Sequence, residues 1–264
     1  MASSLRKERN YEYMAMKYSQ LNQQQFAIGK QLILVLGVKN GDKVVDIGCG
    51  TGEITAYIAS IVGKDGLVVG VDPDGCRIDV ARQKHSPDYK NITFVHGDSS
   101  CDFPHRNEPF YDVSYCSSVF HWLDEQEKII FLQTAFNCLK PGGRIAISSL
   151  EEIPELFLRV PELLPDVEVE SNRPPFKIVK KNETEAIVQQ AGFEVQHSDY
   201  AQCEHTFPSV EYYLTWFGAS GYVDEKKFLP HKKQEFSQKF ADDDGKVHLK
   251  LKMFLIIAKK LETI

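Results

Sequence analysis

Three glycines at alternate positions follow an acid in the run Val44-Val45-Asp46-Ile47-Gly48-Cys49-Gly50-Thr51-Gly52. Val44, Val45 and Ile47 are apolar and β-branched and read as a buried strand. Gly48, Gly50 and Gly52 carry the backbone through a tight turn, and a helix follows, over Glu53 to Val62 or from Thr51 at its widest. Backbone N–H groups of such a turn face a ligand, as in nucleotide sites. The spacing is not the G-x-G-x-x-G of dinucleotide folds, and no G-K-[ST] ending marks a P-loop. Asp46 beside the turn repels a pyrophosphate but suits a ligand with a cationic ammonium, whose carboxylate the N–H groups can hold. The plainer reading of the same residues is a glycine-rich turn without a ligand.

A second apolar run, Leu67 to Val71, ends in Asp72. This lies about 20 residues past the loop, where nucleotide folds place an acid on the ribose. A carboxylate accepts two parallel hydrogen bonds from a vicinal diol; an amide accepts only through its oxygen. Asp72 also reads as a helix N-cap, with Pro73 at the first helical position. A third run, Ile92 to His96, leads into Gly97-Asp98-Ser99.

These motifs resemble the class I S-adenosylmethionine (SAM)-dependent methyltransferases, whose first motif is [DE]-x-G-x-G-x-G. Matches in order span Gly41 to Ser149 and include Pro109 to Ser118 as the fourth strand. In Leu139-Lys140-Pro141-Gly142-Gly143, Pro141 stops a helix and the two glycines supply a positive-φ turn. The resemblance implies a Rossmann-like α/β sheet, mostly parallel with an antiparallel final strand and helices on both faces. It implies SAM as cofactor, S-adenosylhomocysteine as product, and no metal. Its cofactor-binding set is Tyr18, Asp46, Gly48, Gly50, Gly52, Asp72, Pro73, Asp98, Ser99 and Ser117, with Asp98 on the adenine amino group.

The chain has 264 residues, enough for one α/β domain with insertions. Its hydrophobic content of 42% and charged content of 26% are those of an ordinary globular protein. A net charge of −6 argues against a nucleic-acid surface, and lysines at 226–227, 232–233 and 246–260 read as solvated faces. The six cysteines form no C-x-x-C pair and no zinc spacing, and read as reduced thiols of a cytoplasmic enzyme. The polar start, Met1 to Asn10, is no signal peptide, and no apolar run approaches the ~18 residues of a membrane span.

Tyr11 to Val35 reads as helical. Strands then alternate with helices at Gly75–Lys84 and Glu125–Leu139, which implies a parallel sheet. Prolines at 154, 161, 165, 174 and 175 make Leu156 to Pro175 an irregular excursion with short helices. Thr184 to Ala191 resumes helix, a sixth strand starts at Phe193, and His248 to Lys259 is the closing strand. Ser209 to Phe217 reads as a helix whose aromatic residues 212, 213, 216 and 217 form a seam, either buried or lining a pocket. The expected organisation is one domain, 1–264. Residues 41–150 form its SAM-binding core, and residues 1–36, 151–180 and 203–245 cover an acceptor pocket. The expected protein is a monomer or homodimer with a small-molecule partner and no nucleic-acid or membrane partner.

The stretch Lys17 to Ala27 and the trio Phe120-His121-Trp122 resemble the group of juvenile hormone acid, trans-aconitate and malonyl-carrier-protein methyltransferases. That resemblance implies that Gln23 and Trp122 hold a substrate carboxylate, though Gln20, Gln24 and Gln25 are close neighbours of Gln23. A carboxylate with a pKa near ~4 is ionised at neutral pH and needs no general base. Neutral donors then suffice to hold it. His121 has two readings: a contact or base for a hydroxyl or amine acceptor, and a structural residue. Two functions therefore stand beside methyl-ester formation: N- or O-methylation of a small amine or hydroxyl compound, and SAM binding without catalysis to regulate a partner.

Overall fold

The computed structural model of the protein describes residues 10–101, 103–172 and 175–261. The chain forms two compact units. One comprises residues 25–152, 176–201 and 252 onward, and the other the residues up to 24, 153–175 and 202–251.

The first unit is organised by a seven-stranded sheet in the order β3-β2-β1-β4-β5-β7-β6. Its strands are β1 (Lys43–Ile47), β2 (Leu67–Asp72), β3 (Ile92–His96), β4 (Tyr111–Ser117), β5 (Leu139–Leu150), β6 (Phe193–Phe207) and β7 (Val247–Lys260). β1 to β5 pair in parallel, and β7 runs antiparallel to β5. This is the expected Rossmann-like order. Strand order reverses between β1 and β4, the place where open α/β sheets bind ligands at the strands' C-terminal ends.

Strands buried on both faces must be apolar throughout, and Val44, Val45, Val68, Val69 and Val71 are all buried. Val45, Val69 and Ile147 face a layer with Phe131 and Leu132 of α5 (Glu125–Cys138) and Val188 of α7 (Lys181–Gln190). Period-two alternation turns Val44 and Val68 to the opposite face. The helices α3 (Glu53–Val62) and α4 (Gly75–His85) pack along β1 to β3.

Local chemistry sets the element ends. An Asp124–Glu127 capping box opens α5. Asp74, not Asp72, caps α4, accepting the N–H groups of Cys76 and Arg77. The expected single helix over Tyr11 to Val35 is two, α1 (Tyr11–Leu21) and α2 (Gln23–Leu36), parted at buried Asn22. Asparagine competes for backbone hydrogen bonds and favours such breaks. The expected glycine turn before the fifth strand is part of β5: Gly142 alone of the pair has positive φ, 75°. Strand pairing continues there across a register shift opposite Tyr111 and Val113.

The second unit is mainly helical and includes residues 202–207 of β6 and 247–251 of β7. It contains α1, α6 (Glu155–Arg159), 3-10 turns at Val160–Leu163, Asp166–Glu168 and Glu170–Asn172, α8 (Val210–Gly221) and α9 (Pro230–Phe240). Tyr213, Trp216 and Phe217 pack on one another and on Phe157, Phe207 and Phe236. Three of the four aromatic residues of the expected seam are therefore core, while Tyr212 is half-buried. The sequence reading did not include α9, although Pro230 at its first turn is a start signal.

Candidate cofactor and acceptor site

The glycine loop leaves β1 and is held from both sides. Val71 O accepts the N–H groups of Gly48 and Cys49 at 2.7 and 3.0 Å. Gly48, Gly50 and Gly52 have φ of 81°, 56° and 85°, which only glycine adopts without strain. A Cβ at Gly48 would lie 2.1 Å from Val119 Cγ2, and one at Gly52 2.8 Å from the Phe94 ring. The Gly48–Val119 approach also brings the loop after β4 against the loop after β1. Gly52 opens α3 without a side-chain cap, which leaves the helix start open to a ligand carboxylate.

Two buried carboxylates flank this loop. Asp72, 5% exposed at the end of β2, accepts Gly50 N–H at 2.8 Å and Asp74 N–H at 2.9 Å. Asp46, 2% exposed, accepts the Thr55 hydroxyl at 2.7 Å. Burial pushes the Asp46 pKa up to about 7, the Thr55 hydrogen bond opposes the rise, and the Asp72 charge adds to it. Burial also raises Asp72, against the pull of Arg77 and of the Asp74 and Gly50 N–H groups.

Anions buried this way favour a cationic ligand. A carboxylate offers about four lone-pair positions, so two N–H contacts on Asp72 leave room for a diol. The residues present therefore fit the adenosyl and amino-acid parts of SAM.

Asp98 follows the neighbouring strand β3. Its carboxylate is exposed and turns to Ser100, accepting that residue's N–H at 2.7 Å and hydroxyl at 2.5 Å. Ser99 is buried, and its carbonyl accepts Thr134 Oγ1 at 2.9 Å. Gly97 N–H donates to Asp72 O at 2.9 Å, and His96 Nε2 lies 3.1 Å from the carbonyl of exposed Pro73. The structure thus joins the Asp72 and Gly97 backbones, and the Asp98 carboxylate is engaged within its own turn. Ser117 ends β4 with its hydroxyl 2.8 Å from that of Ser148.

His121 and half-buried Trp122 belong to a 3-10 turn, Phe120–Trp122, beyond β4. His121 is buried, and its Nδ1 accepts Leu150 N–H at 3.5 Å beside the Ser149 hydroxyl at 3.2 Å. Burial, reinforced by Lys128, pushes its pKa down to about 3. The ring is therefore neutral, with Nδ1 as the acceptor nitrogen. The Trp122 ring packs edge-on against Phe176, centroids 4.7 Å apart.

Tyr18 and Gln23 lie in the helical unit, on α1 and at the start of α2. Tyr18 is half-buried; Gln23 is exposed and donates from Nε2 to Gln20 O at 2.8 Å. Its neighbour Gln24 is buried, and among the described residues neither polar atom of that amide has a hydrogen-bond partner. The sequence carries no signal for a role of Thr55, Lys128 or Phe176. Only the run of three glutamines hinted at Gln24.

Residues 44–143 match the profile of a family described as a methyltransferase domain. Demethylmenaquinone methyltransferase of Staphylococcus aureus (strain JH9) is 28% identical over 142 residues, covering 52% of this chain and 57% of the relative. The match thus spans little more than half of that relative's length. A SAM dependent methyltransferase from Aquifex aeolicus superposes with a TM-score of 0.56 at 16% identity, covering 92% of this chain and 98% of that one. The [4+2]-cyclase SpnF superposes with a TM-score of 0.57 at 16% identity, covering 90% and 82%. Residues 44–143 thus match a methyltransferase-domain family, and the chain shares the fold of a SAM dependent methyltransferase. SpnF is a reminder that the fold alone does not fix the reaction.

Proposed function

We propose that this protein transfers the methyl group of SAM to the carboxylate of a small molecule. The observation that carries this reading is the state of His121. It stands beside Trp122, yet it is buried and neutral, and its Nδ1 is occupied by Leu150 N–H. The turn after β4 therefore offers no imidazole base, and an acceptor that is already ionised needs none.

SAM supplies a methyl group activated on a sulfonium sulfur. The acceptor oxygen forms the new C–O bond as the S–CH₃ bond breaks, and the electron pair leaves on sulfur. The products are a methyl ester and S-adenosylhomocysteine, and no proton moves. Asp72 holds the ribose, the glycine loop holds the amino-acid end, and the Asp98–Ser99 turn receives the adenine. The Trp122 indole N–H donates to the carboxylate without neutralising it. Holding one oxygen in line is worth roughly 7–11 kcal/mol in well-oriented systems.

SAM turnover on a panel of carboxylic acids, amines, phenols and demethylmenaquinone tests this. Methyl esters are the expected products. Amine, phenol or quinone-ring products would replace the reading with the corresponding acceptor class. Tight SAM binding without turnover on any of them would make the protein a silent binder.

A further inference from the structure

The geometry points to Lys128 as the residue that positions Trp122, by clamping the turn carrying that indole to the returning segment 176–178. This rests on the reading of Trp122 as the acceptor's donor. Lys128 lies on α5 and is 2% exposed. Its ammonium donates to the carbonyl of Leu123 and to that of Lys177, the latter at 3.0 Å, and lies over the Phe120 ring 5.3 Å from the centroid. One side chain thus grips the turn at both ends and the segment beyond it.

A backbone bond completes the closure: Lys177 N–H donates to His121 O at 2.7 Å. The segment so fixed delivers Phe176, whose ring meets Trp122 at 4.7 Å and His121 at 5.3 Å. On the far side, His121 Nδ1 is tied to Leu150 N–H of β5. The indole therefore sits on a turn braced by α5, by β5 and by segment 176–178.

The chemistry of Lys128 argues against a purely stabilising purpose. Its ammonium meets carbonyl oxygens and a ring face, and among the described residues no salt bridge reaches it. Burial lowers its pKa, and the acids Asp124 and Glu127 offset that only in part. Burying a cation without an ion pair is expensive, and apolar replacements of such groups are often tolerated. What the ammonium adds is direction, since its donors fix two carbonyls from different segments at one point.

The test uses the full chain with Trp216→Phe. The chain has two tryptophans, so this leaves Trp122 as the sole indole reporter. In that background, Lys128→Met keeps the length of the side chain and removes its donors. The expected result is a higher acrylamide quenching constant for Trp122 with SAM affinity unchanged. For the best acceptor, kcat/KM falls roughly tenfold or more, as expected for a misplaced contact. Lys128→Arg restores part of both. Phe176→Leu, which leaves the ammonium in place, raises quenching in the same direction and tests the brace if Lys128→Met does not fold. Quenching that stays at the parent value in Lys128→Met, or in Phe176→Leu, overturns the proposal, even if the melting temperature drops. Raised quenching with unchanged acceptor kinetics upholds the clamp and instead removes Trp122 from the reaction.

Discussion

The Asp72 carboxylate accepts the Gly50 N–H at 2.8 Å, so the end of β2 is tied to the middle of the glycine loop. That acid shapes the loop, and in the proposed reading it also holds the ribose. Asp72→Ala removes a loop anchor together with the ribose contacts. Each hydrogen bond to a charged group contributes about 1.5–3 kcal/mol. SAM affinity measured by calorimetry should fall by at least tenfold, with a lower melting temperature in the SAM-free protein. Asp72→Asn should keep part of the loop anchor through its amide oxygen and lose more binding than stability. SAM affinity unchanged in both variants would remove Asp72 from the cofactor site.

Asp46 and His121 make opposed contributions to the pH dependence of stability. The folded Asp46 has its pKa raised to about 7, so from the ordinary carboxylate range up to that value the folded state holds the extra proton. Stability from this group declines as pH rises through that window. His121 is depressed from 6.5 to about 3, so the unfolded state holds the extra proton between those values. Its contribution rises with pH and is lost as pH falls through the same interval. Thermal melts should show Asp46→Asn losing stability more steeply on acidification than wild type, and His121→Gln less steeply. Parallel curves for all three would mean that neither group titrates as described.

Cofactor binding should carry its own pH signature. A cationic ligand favours ionised Asp46, so SAM affinity rises as pH increases toward about 7 and levels off above it. Asp46→Asn should flatten that rise, as read by calorimetric titration across the interval. S-adenosylhomocysteine lacks the sulfonium charge and should show a weaker slope. Equal slopes for the two ligands would place the sulfonium away from Asp46.

Gln24 is a buried amide whose polar atoms both lack a partner among the described residues. Leaving such a group unsatisfied costs about 1–3 kcal/mol, so Gln24→Leu should raise the melting temperature. If the amide is kept for a ligand, the same variant should also raise the KM for the acceptor, whereas Gln23→Ala should do neither. Lower stability in Gln24→Leu would show that the amide has a partner in solution.

Much of the sheet was legible because its signal is local. Val44, Val45, Val68 and Val69 are apolar on both faces, and the alternate glycines fix where β1 ends. Asp72 was legible as a candidate by its position at the end of β2. That Asp74 rather than Asp72 caps α4 was not legible, because both are acids ahead of the same helix. The break at Asn22 was hidden since polar and apolar residues are spaced alike on either side of it. The environment of Trp122 was the least accessible part. Phe176 reaches it from far along the chain, while Lys128, close by in sequence, acts through the carbonyls of Leu123 and Lys177, and neither residue carries a motif. His121 shows the same limit: its type suggests a base, and only its burial and the Leu150 N–H reveal a neutral acceptor.

A crystal structure with S-adenosylhomocysteine bound tests the central claim most directly. It should show both ribose hydroxyls on Asp72, the amino-acid end against Gly48 to Gly52, and the adenine at the turn of Asp98 and Ser99. Density for the ligand elsewhere, or at the glycine loop with its ribose turned away from Asp72, would contradict it.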